Sequence, residues 1–390
     1  MNILYVLHTD GLAGANRSML QLMEGLRRSD ESFRIYVIVP KQHDKIAPLL
    51  DKMGCTVIPE DFTNCTTVMH GVREAVRYLI KSRGYRRILE DVKGLGIDIV
   101  HTNTSVCDLG AYLASKMGVP HIWHVRENMN YYSMSLIRPF RYRSYFESPD
   151  NLAVCISNYI EGYIKSRYKK ARTTVVYNAI EGSGKERAQK DNTDIEMILS
   201  GIIVKNKGPE DAIKALNIVV NDKGRKNVHL NIVGTHPSTA VYENELKRLV
   251  AGFGLEKNVR FMPFTDDIDR IRQGCDIALQ CSVMEGLGRV TIEAMLDGLL
   301  VIGARSGATT ELIREGFNGW FYEPGDHMGL ADRIMDVIVL DKKEADLVRH
   351  NARIWASDKF STDVITGKMI AIYRETVNKK ADKRREETTV

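Results

Sequence analysis

The chain has 390 residues, 44% of them hydrophobic and 27% charged, with 55 Lys and Arg against 50 Asp and Glu and a formal net charge of +5. A single core stops growing near ~250–300 residues, so two domains are expected, and this apolar fraction excludes a disordered chain. No run approaches the ~18 apolar residues of a membrane span, and so small a charge surplus does not mark a nucleic-acid binder.

The apolar start Met1-Asn2-Ile3-Leu4-Tyr5-Val6-Leu7 has no basic segment and no small-residue cleavage site, so it reads as a first strand and not as a signal peptide. Further strand candidates are residues 34–40, 56–59, 97–103, 121–126, 152–157 and 174–178, the first strand running over 3–8. Residues 16–28 and 72–89 carry helical periodicity between them. Strands apolar on both faces and separated by helices imply βαβ units and a parallel sheet. Residues 181–192 are polar, glycine-containing and without period, as a linker is. A second series follows, with strands at 196–202, 229–234, 259–264, 277–282, 300–303 and 320–322 and helices at 209–217, 242–251, 266–273, 290–296 and 309–315. Ser361 can cap a last helix whose Val364, Ile365, Met369, Ile370, Ile372, Tyr373 and Val377 form a stripe. The expected division is a first domain over 1–180 completed by the helix at 361–378, a linker over 181–194, a second domain over 195–360, and a frayed charged tail over 379–390.

The six cysteines, Cys55, Cys65, Cys107, Cys155, Cys275 and Cys281, form no C-x-x-C pair. Neither a disulfide framework nor a structural metal is expected, and a cytoplasmic location follows from that and from the missing signal peptide.

Ligands of open α/β sheets bind at the carboxyl ends of the strands, so residues just after strands carry the functional reading. After strand 277–282 come Glu285-Gly286-Leu287-Gly288-Arg289-Val290 and, inside the next helix, Glu293. The glycines let backbone approach a ligand, and the helix start offers free N–H groups and a positive dipole end to a diphosphate. Glu285 is placed to take sugar hydroxyls and Glu293 ribose hydroxyls. After strand 196–202, Lys207 beside Gly208 can reach a phosphate, with Lys205 second, and Pro209 suits a first helical position. After the first strand, the small-residue loop Gly11, Gly14, Ala15 is not G-x-G-x-x-G, so a dinucleotide site is disfavoured. At the end of strand 121–126, alternation puts His124 and Arg126 on one face, with Glu127 at the exit. Asn103 ends the preceding strand in His101-Thr102-Asn103.

Together these segments resemble the retaining glycosyltransferases of the GT-B fold, the family 4 (group 1) enzymes that use nucleotide-sugar donors. The family's glutamate, Gly-Phe/Leu-Gly turn and second glutamate eight positions on look like Glu285-Gly286-Leu287-Gly288 and Glu293-Ala294-Met295-Leu296-Asp297-Gly298. Its Gly-Arg-x-x-x-x-Lys-Gly loop resembles Gly201 to Gly208, and its glycine-rich loop resembles Gly11 to Ser18. Val154-Cys155-Ile156-Ser157, Val176-Tyr177-Asn178-Ala179 and Gln280-Cys281-Ser282 are similar to further family segments.

The resemblance implies an α/β, GT-B architecture of two Rossmann-like parallel-sheet domains facing a central cleft, acceptor-side first and donor-binding second. It implies transfer of a sugar with retention from a nucleotide-diphosphate-sugar, a UDP-sugar in preference to a GDP-sugar, to a saccharide or polyprenyl-linked acceptor. Glu285, Lys207, Arg126 and His124 would be catalytic. Gly201, Lys205, Lys207, Gly286, Leu287, Gly288, Arg289, Val290 and Glu293 would bind the donor, and Gly11, Gly14, Ala15, Asn103 and Glu127 would line the acceptor side. The leaving diphosphate gains charge as its bond breaks, so a lysine and helix-end amides stabilise the transition state selectively. No second carboxylate is placed as nucleophile, which favours a front-face, oxocarbenium-like mechanism. Metal independence without a cofactor is expected.

Two positions depart from the family. Its arginine after Gly201 is Ile202 here, and its strand-end histidine is Arg126. A nucleotide-sugar epimerase of the same fold and a non-catalytic nucleotide-sugar-binding descendant are the alternatives. The basic and aromatic segments Arg138 to Arg143 and Lys165 to Arg172 suggest peripheral contact with anionic lipid at the inner membrane face.

Overall fold

The first apolar run forms strand β1 (Asn2–Val6), and its alternation decides how the first core is divided. Ile3, Tyr5 and Leu7 enter one buried cluster, while Leu4 and Val6 enter another on the opposite face of the sheet. A strand needed by two cores cannot carry polar residues on either side. The computed structural model describes the chain except residues 13, 30–31, 43, 69–70, 130–132, 185–192 and 389–390, and the side chains of 68, 384 and 387–388.

The chain forms two compact units, Met1–Ala179 with Thr362–Val390, and Ile180–Ser361. In the first, β2 (Arg34–Pro40), β3 (Thr56–Glu60), β5 (Ile99–Thr102), β6 (His121–Val125), β8 (Asn151–Cys155) and β9 (Thr173–Val175) join β1 in the order β3-β2-β1-β5-β6-β8-β9. Every pairing in this sheet is parallel. Met19, Met23 and Leu26 of the Gly14–Arg28 helix cover one face together with Ile365, Met369 and Tyr373 of the last helix. Tyr85, Ile88, Val92 and Leu113 cover the other.

Three features differ from the sequence expectation. A short antiparallel pair, β4 (Thr66–Val68) with β7 (Met134–Leu136), lies outside the main sheet, and three residues are too few to show alternation. The helical stretch 72–89 is two helices, Val72–Lys81 and Tyr85–Val92, joined by a tighter turn at Ser82–Gly84. The tail is not frayed at 379: the last helix runs Thr362–Thr388, and Lys380 reaches Asp150 at 2.5 Å. Ser361 both ends the Lys342–Phe360 helix and precedes Thr362.

In the second unit β10 (Ile195–Ser200), β11 (Val228–Thr235), β12 (Val259–Pro263), β13 (Ile277–Gln280), β14 (Leu300–Ala304) and β15 (Trp320–Tyr322) pair in parallel in the order β12-β11-β10-β13-β14-β15. Pro209–Asn217 is helical as expected, whereas 309–315 shortens to Thr309–Leu312 because Ile313 turns extended. The helices His327–Ile338 and Lys342–Phe360 are additional, and Leu330, Ile334 and Val337 of the first complete the core. All six cysteines are unpaired and buried. Burial pushes the thiols of Cys107, Cys155 and Cys281 up to about 12, so they are neutral core residues. Among the described residues, no helix is long and apolar enough to cross a membrane.

Candidate active site

In the second unit, the chain leaves buried β13 and turns into the Arg289–Leu296 helix at Gly288, whose φ of +84° is left-handed backbone that glycine adopts without strain. The loop before it is fixed through its backbone. The Glu285 carbonyl accepts from the Ala308 N–H at 2.9 Å, and the Ser306 hydroxyl donates to the Ser282 carbonyl at 2.8 Å. Leu287 is buried.

The turn after β10 interlocks with this loop. Val283 N–H donates to the Asn206 carbonyl at 3.0 Å. Gly208 has φ +66°, and a Cβ there would stand 2.2 Å from the Cys281 carbonyl oxygen. Only glycine satisfies both constraints. The consequence is that Lys207 Nζ donates to Glu285 Oε2 at 2.7 Å, although the two residues are 78 positions apart. Their side chains remain 27% and 17% exposed, so the pair is reachable from solvent.

Glu293 is held from two sides. Arg289, one turn earlier, donates to its Oε1 at 3.0 and 3.2 Å, and Arg272 donates to its Oε2 at 3.1 Å. Arg272 is 3% exposed and also pairs with Asp297 at 2.6 Å and with Asp269. Burial opposes the Arg272 charge, but Glu293 and Asp297 outweigh it and its pKa rises. Sequence reasoning missed Arg272, since its meaning depends on three carboxylates from two segments.

The other donor-side residues spread out. Gly201 continues the strand ladder by donating to the Val233 carbonyl at 2.9 Å, and a Cβ there would meet open space. Lys205 lies over the Tyr242 ring, 5.8 Å from its centroid. Gly286 and Val290 stand on either side of the helix start. Ile202 is 58% exposed. Gln280 Nε2 and Thr291 Oγ1 are buried without a hydrogen-bond partner among the described residues, and both border the same loop.

In the first unit, the residues after β1, β5, β6 and β9 form one hydrogen-bonded chain. Asn16 stitches the glycine loop by donating to the carbonyls of Thr9 at 2.9 Å and Gly11 at 2.8 Å. Gly14 and Ala15 begin the helix that follows. Asn103 donates to Asn16 Oδ1 at 2.8 Å and accepts Arg126 Nε on both its carbonyl and its Oδ1, at 3.0 and 3.1 Å. Arg126 also donates to Asn178. Glu127 accepts from the hydroxyls of Thr104 at 2.6 Å and Ser105 at 3.0 Å.

His124 lies deeper than alternation suggested. It is 2% exposed, and its ring stacks on His101 at 5.3 Å. His101 in turn reaches the Tyr373 hydroxyl at 2.6 Å. Burial first, then Arg126, holds both imidazoles well below the usual histidine range, so both are neutral. His8, just after β1, was not singled out from sequence. Its Nδ1 is buried and lacks a partner among the described residues. Burial lowers its pKa, with Glu127 opposing and Arg126 adding.

Two family patterns cover most of the chain: the family described as Glycosyltransferase Family 4 matches residues 12–182, and Glycosyl transferases group 1 matches residues 183–355. The chain belongs to the group 1, family 4 glycosyltransferases. This glycosyltransferase is 22% identical to an uncharacterized glycosyltransferase of Methanocaldococcus jannaschii over 77% of this chain and 81% of that one. It is 25% identical to the capsular polysaccharide biosynthesis glycosyltransferase CapM of Staphylococcus aureus, over 53% and 56% of the two chains. The structure of Anabaena HepE with UDP and glucose superposes with a TM-score of 0.78 at 21% identity, over 96% of this chain and all of that one, which establishes the GT-B fold.

Proposed function

We propose that this glycosyltransferase moves a sugar, with retention, from a UDP-sugar in preference to a GDP-sugar onto a saccharide or polyprenyl-linked acceptor, in surface polysaccharide or glycoconjugate synthesis. The observation that carries the reading is the meeting of Lys207 and Glu285 at 2.7 Å beside the helix start at Gly288. UDP is favoured because HepE was solved with it, and the polysaccharide role because of CapM.

In this reading Lys207 takes the diphosphate, releasing Glu285 to the hydroxyls of the transferred sugar. The N–H groups from Gly286 to Val290 hold the phosphate oxygens, and Glu293, fixed by its two arginines, takes the ribose. Ile202 supplies no cation, so Lys207, with Lys205 second, carries the positive charge of that turn. The bond from the anomeric carbon to the diphosphate oxygen breaks, the acceptor oxygen bonds on the same face, and its proton passes to the departing phosphate oxygen. No step calls for a metal. Stabilisation of the developing charge by one such group is typically worth about 3–4 kcal/mol.

The first unit would hold the acceptor through Arg126, Asn103, Glu127 and the Gly11–Ala15 loop. His8, neutral and with Nδ1 unpaired among the described residues, would be a hydrogen-bond partner for the acceptor hydroxyl. His124, stacked on His101 and 2% exposed, would act only through the residues around it. The enzyme would work at the cytoplasmic face of a membrane that carries the acceptor.

The test is UDP release from UDP-glucose, together with the thermal shift that UDP-glucose produces. A donor at about 100 times its dissociation constant adds about 2.7 kcal/mol of stability. Glu285→Ala is expected to abolish release while keeping the fold, and full activity in that variant overturns the proposed site.

A further inference from the structure

Buried polar atoms ordinarily find partners, and those that do not call for an occupant of the space they face. Two such atoms border the loop that carries Glu285. Gln280, 5% exposed, ends β13, and its Nε2 has no hydrogen-bond partner among the described residues. Its Oε1 already accepts from the Ser282 hydroxyl at 3.2 Å, so turning the amide over exchanges the two atoms and supplies no new partner. Thr291, 1% exposed, stands in the first turn of the Arg289–Leu296 helix. A helical threonine commonly returns its hydroxyl to a carbonyl one turn back. The Thr291 hydroxyl does not, and it too is unpaired among the described residues.

Both residues line one cavity of about 10 Å³, between this helix and the face of the sheet. A space of roughly 10–15 Å³ holds a single water. The other polar groups around it are Ser200, at the end of β10, and Arg272. Arg272 is 3% exposed, and it donates from Nε to Asp297 and from its terminal nitrogens to Glu293 and Asp269. A guanidinium has more N–H bonds than these contacts use, so an N–H on each terminal nitrogen is left over inside the protein. The remaining wall, with Ile198 and Val301, is aliphatic and offers no hydrogen bond. Arg272 repels a cation from this space, and the carboxylates behind it repel an anion. A neutral molecule that both accepts and donates is what the spare donors and the hydroxyls have in common.

We propose that this cavity binds one water molecule, and that Gln280 and Thr291 act through it as positioning residues for the loop between them. The water accepts from Gln280 Nε2 and from a terminal nitrogen of Arg272, and donates to the hydroxyls of Thr291 and Ser200, which fills its hydrogen-bonding capacity. It ties the end of β13 to the first turn of the helix. Glu285 and the N–H groups from Gly286 to Val290 lie between those two points. Through Arg272 the same water touches the group that holds Glu293. Both carboxylates are thereby referred to one buried point. The water stands by itself, whereas its effect on the donor rests on the sugar-transfer reading.

The first arm of the experiment needs no substrate. Thr291→Val keeps the shape of the side chain and removes its hydroxyl. With water bound, the variant loses a hydrogen bond, and its melting temperature is expected to fall by about 2–4 °C. With a dry cavity it discards an unpaired buried hydroxyl and melts at the parental temperature or higher, which overturns the proposal. A crystal structure of the full chain is expected to show one ordered water within hydrogen-bond distance of the Gln280 amide and the Thr291 hydroxyl, and empty density there overturns the proposal whatever the variant does. The second arm is UDP release from UDP-glucose. Thr291→Val is expected to lower kcat/KM by about tenfold or more, and Thr291→Ser, which keeps the hydroxyl, to recover most of that loss. Parental kcat/KM in the valine variant, or equal losses in the valine and serine variants, overturns the positioning role. A parent that releases no UDP overturns the sugar-transfer reading instead, and the first arm still decides the water.

Discussion

Lys207→Gln separates catalysis from stability more cleanly than any other single change. The Lys207 ammonium pairs with Glu285 at 2.7 Å, and the two side chains are 27% and 17% exposed. Solvent screens a pair this open, so its loss costs at most about 1 kcal/mol of stability, or roughly 2–4 °C in unfolding temperature for a chain of this size. The loss to the reaction is expected to be larger, because on the proposed assignment Lys207 meets the leaving diphosphate, whose negative charge is greatest in the transition state. Removing one such group costs about 10²–10³ in kcat. The assay is UDP release from UDP-glucose, run beside a melting curve of the same preparation. The double variant with Glu285→Ala completes a cycle, in which the two losses should combine far from additively because the groups touch. Activity within about fivefold of the parent refutes the assignment of Lys207 to the diphosphate. A fall in activity that only tracks a fall of ten or more degrees in melting temperature makes Lys207 a structural residue, again against the reasoning.

Arg272→Met tests what positions Glu293. It leaves Glu293 and Asp297 without their buried cation and is expected to cost about 3–5 kcal/mol, read by urea unfolding; a loss under about 1 kcal/mol shows that Arg289 alone suffices. His121→Gln tests the buried histidines of the first unit. Burial pulls the His121 pKa from 6.5 to about 4, with the Asn151 hydrogen bond opposing. Between those values the unfolded chain binds the proton and the folded chain does not, so stability rises with pH across the window and falls on acidification by up to about 3 kcal/mol. The glutamine variant is expected to lose that part of the slope in melts taken from pH 4 to 7, and an unchanged slope shows that the histidine does not titrate there.

Much of the fold was legible because it depends on short-range periods. β2 spans Arg34–Pro40 as read, since apolar side chains on both faces leave no helical alternative. The Glu285-to-Glu293 segment was legible for a related reason: glycine at a left-handed turn and a carboxylate inside the next helix are local features. The pair β4–β7 was not, because each strand is stabilised by its partner about 70 positions away and not by its own three residues. His124 shows the limit of alternation, which assigns a face but not a depth.

The sequence by itself determined two parallel sheets, the strand ends that carry the candidate site residues, and the family to which the motifs belong. It also determined that residues 72–80 carry an apolar stripe. Only the tertiary structure decided that this stripe is uncovered, that Lys207 meets Glu285, that Arg272 anchors Glu293, and that Tyr373 of the last helix joins His101, 272 positions away. The physical reason is the same in each case. Helix and strand follow from steric and solvation rules over a few residues, whereas strand order and helix docking choose which distant side chains share a place. Charge pairing, burial and exposure are properties of that shared place.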